Sequence, residues 1–251
     1  MKKVEALKTK KGRDKAKQFI IEGKKLVGEI PSDWTICFYV CSEAFLEEYD
    51  VSLFNDRAPC VPVSAQTFAK LTDTVTPQGI LAVCEQREFF LSDMLREECF
   101  LLMGECLSDP GNIGTLVRTA LAAGADGVIL SEGSVEIYNP KVLRASAGAV
   151  LRIPTVTDAD INEVIPLLRQ QDICIYAAHP NGNALPYATD MRRSCCLLIG
   201  NEAHGLSDGI CGIVDALVRL PMPGFAESLN ASVAGGILMY EVVRQRLYKD
   251  S

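Results

Sequence analysis

The sequence has no stretch approaching the roughly 18 consecutive apolar residues that cross a bilayer, so no membrane span is expected. Its lysine-rich first residues run into no apolar core, and no secretory leader is expected either. Histidine occurs only twice, at His179 and His204, and ten cysteines form no Cys-x-x-Cys pair, so metal-ligand spacing is absent and no metal is expected. Neither a G-x-G-x-x-G loop nor a G-x-x-x-x-G-K-[ST] loop is present, which argues against a generic nucleotide-binding oxidoreductase. No internal repeat or low-complexity tract is found. With 48% hydrophobic and 23% charged residues over 251 positions, disorder and fibrous structure are excluded. A globular α/β chain remains.

The cysteines sit mostly inside apolar runs such as TICFYVC, LAVC and CFLLMGEC. That placement predicts small buried hydrophobes in a reducing cytoplasm. Charge is unevenly divided. Residues 1–25 hold ten positives against three negatives, a net +7, while the whole chain carries −7 and the remainder therefore −14. A basic arm on an acidic body is one pattern for phosphate contact, although a lysine-rich terminus is also the ordinary composition of a solvated tail.

Short β-rich runs alternate with helical stretches. In the first third, QFII, WTICFYV, PVSA and GILAVCE read as strands, with helices around 23–30, 43–49 and 65–72. Residues 85–98 lose β character, which places a domain boundary there and predicts domains at 1–94 and 95–251. Beyond it, CFLLMGE, DGVILSE, ICIYAA, CCLLIG and ALVRLP read as strands, with the near-continuous apolar runs of a parallel sheet. One long helix is predicted from about Ser228 to Tyr248.

Three polar, glycine-bearing segments follow strands, where open parallel sheets bind ligands. The first runs from Asp109 to Arg118 (DPGNIGTLVR); Asn112 is placed to cap a helix, and Gly114 shares a helical face with Arg118. The bare residues leave open whether Asn112 only caps and Arg118 only pairs with a carboxylate. The second is IGNEAHGLS, 199–207, where Glu202 adds a carboxylate to a glycine turn. The third is LPMPGFAESLNASVAGG, 220–236, in which Ser228 is a good cap for the last helix. Gly235 and Gly236 inside that helix predict close packing, within the fold or across a dimer.

Together these segments resemble the signature motifs of the SpoU/TrmH family of RNA ribose methyltransferases, within the SPOUT superfamily. NPKVLRASAGA, 139–149, is similar to the family's intervening segment. KGRDKAKQFIIEGKKLVGEI, 11–30, with TPQGI, 76–80, is similar to the small ribosomal-protein-like α/β substrate-binding domain that often precedes the catalytic one. The resemblance implies a trefoil-knotted parallel-sheet C-terminal domain and a homodimer formed through it. It further implies S-adenosylmethionine as methyl donor and a ribose 2′-hydroxyl of RNA as acceptor. Catalytic positions are then Arg118, Asn112, Glu202, Ser228 and Asn230. The cofactor would lie on Ala178, Ile199, Gly200, Leu220, Met222, Ser228 and Leu229.

As a base, a guanidinium is chemically awkward because it holds its proton so firmly, so Arg118 is expected to stabilise a developing oxyanion and anchor phosphate. RNA contacts are expected at Lys10, Lys11, Arg13, Lys141 and Arg144, with surface ion pairing the alternative for the last two. The basic N-terminal domain tilts the RNA toward rRNA; tRNA, or a non-catalytic RNA-binding paralogue, are the alternatives.

Overall fold

The computed structural model describes residues 1–49 and 56–248. These form two compact units: Met1–Arg87 with Tyr138–Leu143, and Glu88–Ile137 with Arg144 onward.

In the first unit, alternation of buried and half-buried residues along β1 (Gln18–Glu22) matches a period-2 strand with one face inward. β1 and β2 (Ile36–Ser42) both run antiparallel to β4 (Ile80–Glu85), and β3 (Cys60–Val63) adds parallel to β2, giving the order β1-β4-β2-β3. The weakly patterned PVSA strand thus lies two residues earlier, and Ser64 instead caps the Ala65–Leu71 helix through Thr67 N.

The basic segment is not a solvated tail. Val4 and Leu7 are fully buried in a core with Val40, Phe68, Leu71 and Leu81. Lys8 Nζ donates to Lys70 O at 2.9 Å and pairs with Asp73 at 3.1 Å, fixing the first turns to the Ala65–Leu71 helix. Arg13 departs from its expected role as an RNA contact: it is 3% exposed, and its Nη1 donates to Leu7 O at 2.8 Å. A guanidinium so placed ties two helices together and is not presented to a polyanion. Lys10 and Lys11 stay exposed.

The second unit is a six-stranded parallel sheet in the order β10-β8-β9-β5-β6-β7. β5 (Phe100–Gly104), β6 (Gly127–Ser131) and β9 (Cys195–Ile199) are buried at every residue, as continuous apolar runs require when helices cover both faces. β8 (Cys174–Ala178) and β10 (Ala216–Val218) complete one side. β7 (Thr155–Ala159) and the Ile161–Arg169 helix, capped by Asp160, escaped the sequence reading. β7 is an edge strand whose Thr157 and Asp158 are exposed, so it carries no apolar run to announce it.

The last helix spans Ala231–Leu247. An added Cβ at Gly235 would meet Leu116 at 2.5 Å and Ile199 at 3.5 Å, so this glycine lets the helix approach the Pro110–Ala122 helix and β9 within the fold. Five cysteines are buried and four half-buried; only Cys106 is exposed, and all ten are free. Burial pushes the Cys84 and Cys195 thiols up to about 12, which leaves them inert hydrophobes. No helix of the described residues is long and apolar enough to cross a membrane.

Candidate active site

The chain breaks from β5, β9 and β10 converge at the carboxyl ends of the parallel strands, where such sheets place ligands. There a cleft of about 330 Å³ opens at the ends of β8, β9 and β10, with the start of the last helix along one side. Ala178, Ile199, Gly200, Leu220, Met222, Ser228 and Leu229, the seven positions expected to hold a cofactor, all line it, as does Glu202. Gly200 has no room for a side chain: a Cβ would sit 2.5 Å from Gly205 C and 2.6 Å from Leu206 N. Both backbone segments close the same wall.

Asp109 caps the Pro110–Ala122 helix, accepting from Asn112 N at 2.8 Å, and Pro110 opens its first turn. Asn112 is therefore not the cap expected from sequence. Its buried side chain is released for another use. Glu202 Oε1 accepts from Asn112 Nδ2 at 3.0 Å and from Asp109 N at 3.1 Å, while Oε2 accepts from Ser108 N at 3.0 Å and Ser108 Oγ at 2.9 Å. Asn112 Oδ1 in turn accepts from Asn230 Nδ2 at 2.9 Å. Asn230 Oδ1 accepts from Ser232 N at 2.9 Å and Val233 N at 3.3 Å, which makes Asn230, not Ser228, the cap of the last helix.

This chain has a direction. An ionised carboxylate can only accept, so Asn112 must offer its NH2 to Glu202 and its carbonyl to Asn230; Asn230 must then turn its own carbonyl to the helix terminus. Partial burial on its own raises the Glu202 pKa. The hydrogen bonds from Asn112 and Ser108 outweigh it and bring the carboxyl down to about 2. Glu202 is thus a fixed anion at neutral pH.

Two further clamps hold the same wall and were not legible beforehand. Glu105 accepts from Ser207 Oγ at 2.6 Å and Ser207 N at 3.0 Å. Asn201 Nδ2 donates to Cys106 O at 2.6 Å, while its Oδ1 accepts from Ala203 N and His204 N. The partners lie about a hundred residues apart in the chain, so no local pattern could reveal them.

Arg118 is exposed on the Pro110–Ala122 helix, with no hydrogen-bond or ion-pair partner among the described residues. Gly114 is buried, whereas Arg118 shares an exposed stripe with Gly111, Thr115 and Ala122. Arg118 does not line its own chain's cleft, and neither do Asn112 and Asn230. Lys141 lies in the first unit and Arg144 in the second, both exposed. The two histidines of the chain, His179 and His204, both line the cleft. His179 Nδ1 accepts from Asn181 N at 3.1 Å.

A parallel α/β unit with a glycine-walled cleft at its strand ends, preceded in the chain by a smaller mixed-sheet unit, has the form of an α/β ligand-binding protein. Residues 100–240 match the model of the SpoU rRNA Methylase family, and residues 1–82 match that of the MRM3-like substrate binding domain. The chain belongs to the SpoU rRNA methylase family. The 23S rRNA (guanosine(2553)-2′-O)-methyltransferase RlmP of Bacillus subtilis is 33% identical over 236 residues, 94% of this chain and 92% of the relative. Among solved structures, the SpoU methyltransferase AviRb from Streptomyces viridochromogenes in complex with AdoMet superposes with a TM-score of 0.90 at 27% identity, covering 98% of this chain and 97% of that one. An AdoMet-bound rRNA methyltransferase from Sinorhizobium meliloti gives 0.87 at 31% identity, with 98% and 94% covered.

Proposed function

We propose that this chain transfers a methyl group from S-adenosylmethionine to a ribose 2′-hydroxyl of ribosomal RNA. The observation that carries the reading is the cleft itself, in which the seven expected cofactor positions meet around Gly200. Its chemistry suits that donor. Residues 220–229 make no hydrogen bonds to other described residues, leaving backbone donors and acceptors free for an adenine edge. Leu220, Met222 and Leu229 supply apolar faces. Among the described residues no lysine or arginine lines the cleft and the fixed anion Glu202 does, an arrangement that favours a sulfonium cation. When bound, S-adenosylmethionine supplies a methyl group already activated by positive sulfur.

The protein's remaining task is alignment and charge. Arg118 stabilises the oxyanion that develops on the ribose and anchors an adjacent phosphate through its planar fork of donors. Glu202 holds Asn112 and Asn230 in one amide orientation, so that the two helix termini flank the acceptor in fixed register. Lys10, Lys11, Lys141 and Arg144 supply phosphate contacts.

The chain works as a homodimer through its catalytic unit. Val233, Ile237 and Tyr240, each about half exposed, form one stripe of the last helix, and that helix packs on the one carrying Arg118. An Arg118 that does not line its own cleft is then brought to the cleft of a second copy. We also infer a trefoil-threaded backbone, supported by the strand order and by the return of the last helix onto β9 and the Pro110–Ala122 helix. The protein acts in the cytoplasm, a reducing compartment that suits its ten free cysteines. Methyl transfer from labelled S-adenosylmethionine to unmodified 23S rRNA tests the reading. Label recovered in one 2′-O-methylated nucleoside supports it, and label on a base or no label refutes it.

A further inference from the structure

We infer that Phe225 is a stacking platform for an unpaired nucleobase of the substrate RNA, and so a specificity residue for the reaction; this rests on the reading of the cleft above. Phe225 is 109% exposed, the most exposed large hydrophobic residue of the described chain. Its ring makes no contact with another aromatic ring or a cation among the described residues. It stands between Gly224 and Ala226, small neighbours that leave both ring faces open.

Its position ties it to the chemistry. Met222 and Ser228, three residues to either side, both line the cleft. Three residues span at most about 11 Å, so the Phe225 backbone stays within one nucleotide's reach of the methyl-donor site. Pro221 and Pro223 restrict the approach to the tip, and with no hydrogen bonds holding residues 220–229 the segment can still adjust to a ligand.

A ribose entering the cleft belongs to a nucleotide whose base must leave its helix or already be unpaired, and such bases are held by aromatic stacking. A face-open phenylalanine beside that ribose has the chemistry for it. A protein partner would bury the same ring edge and face in an apolar pocket, where any side chain of similar volume serves. Stacking needs a planar ring.

That difference sets the test. Phe225→Ala, Phe225→Leu and Phe225→Trp enzymes are compared on 23S rRNA purified from a strain lacking this chain. S-adenosylmethionine affinity is measured by calorimetry and mass by sedimentation. Loss of the ring is expected to raise KM for RNA by about five- to a hundredfold. Leucine should fail to restore it and tryptophan should succeed. Cofactor affinity and oligomeric mass should match wild type, which also shows that the variants fold. An unchanged KM in Phe225→Ala, full rescue by leucine, or a change in mass that marks the ring as a contact between copies would overturn the inference. A wild-type enzyme that methylates no ribose would instead bring down the reading of the cleft, and the stacking role with it.

Discussion

Replacing Glu202 with glutamine reverses the polarity of one atom in a chain of hydrogen bonds that the carboxylate now orients. Four donors converge on its two oxygens: Ser108 N, Ser108 Oγ, Asp109 N and Asn112 Nδ2. A glutamine must put its NH2 against one pair of them. The Ser108 hydroxyl can rotate to accept, but neither backbone N–H can, so at least one is left facing a donor. Glu202 is exposed to solvent, which can partly re-satisfy that group, so the low end of the usual penalty applies: about 1–2 kcal/mol. For a chain of this size that lowers Tm by about 2–8 °C.

The pH dependence follows from the sign of the shift. A carboxyl held at about 2, against an ordinary 4.5, contributes stability that is complete above about pH 4.5 and is lost as pH falls toward 2. The Tm difference between wild type and Glu202→Gln should therefore be flat from pH 5 to 8 and close at lower pH. Turnover should fall by about tenfold or more as Asn112 and Asn230 lose their fixed orientation, with the shape of the pH–rate profile between pH 6 and 9 unchanged. Unchanged Tm, or a variant profile missing an ionisation that wild type shows, would refute the anchor role and make Glu202 a proton-transfer group.

Gly200→Ala forces a Cβ into the backbone of Gly205 and Leu206, and should weaken S-adenosylmethionine binding by about tenfold or more in calorimetry. Arg118→Lys keeps the charge but loses the planar fork, and is expected to lower kcat by about tenfold or more while cofactor affinity holds; near-full turnover would show the fork dispensable. Co-expressed Arg118→Ala and Gly200→Ala chains should regain about a quarter of wild-type activity as mixed dimers, and no recovery from verified mixed dimers would place Arg118 in its own chain's reaction. Lys10→Gln with Lys11→Gln should weaken RNA binding and reduce its log–log salt slope by about 1–2, sparing cofactor affinity. Deleting residues 1–25 would not serve for this, because it removes Val4, Leu7 and strand β1 from the fold.

The interior of the catalytic unit was legible because β5, β6 and β9 are buried on both faces and must be apolar at every position. Edge strand β7 met no such demand and left no trace. Two helix caps differ from the sequence expectation for a related reason. Ser228 and Asn230 are both good capping residues, and only the bond from Asn230 to Asn112, 118 residues away, decides between them. At the first motif a local signal did exist: proline favours the first turn, so Asp109 before Pro110 is the cap. That frees Asn112 for the network. The burial of Arg13 and the clamps made by Glu105 and Asn201 depend on partners that only the folded chain brings near.

Nucleoside mass spectrometry of 23S rRNA from cells lacking this chain tests the central claim most directly. One ribose should have lost its methyl group, regain it with the wild-type chain, and regain it to a lower extent with the Arg118→Lys or Gly200→Ala chain at equal expression. An unaltered set of methylated riboses, or a lost methyl that maps to a base, would contradict it.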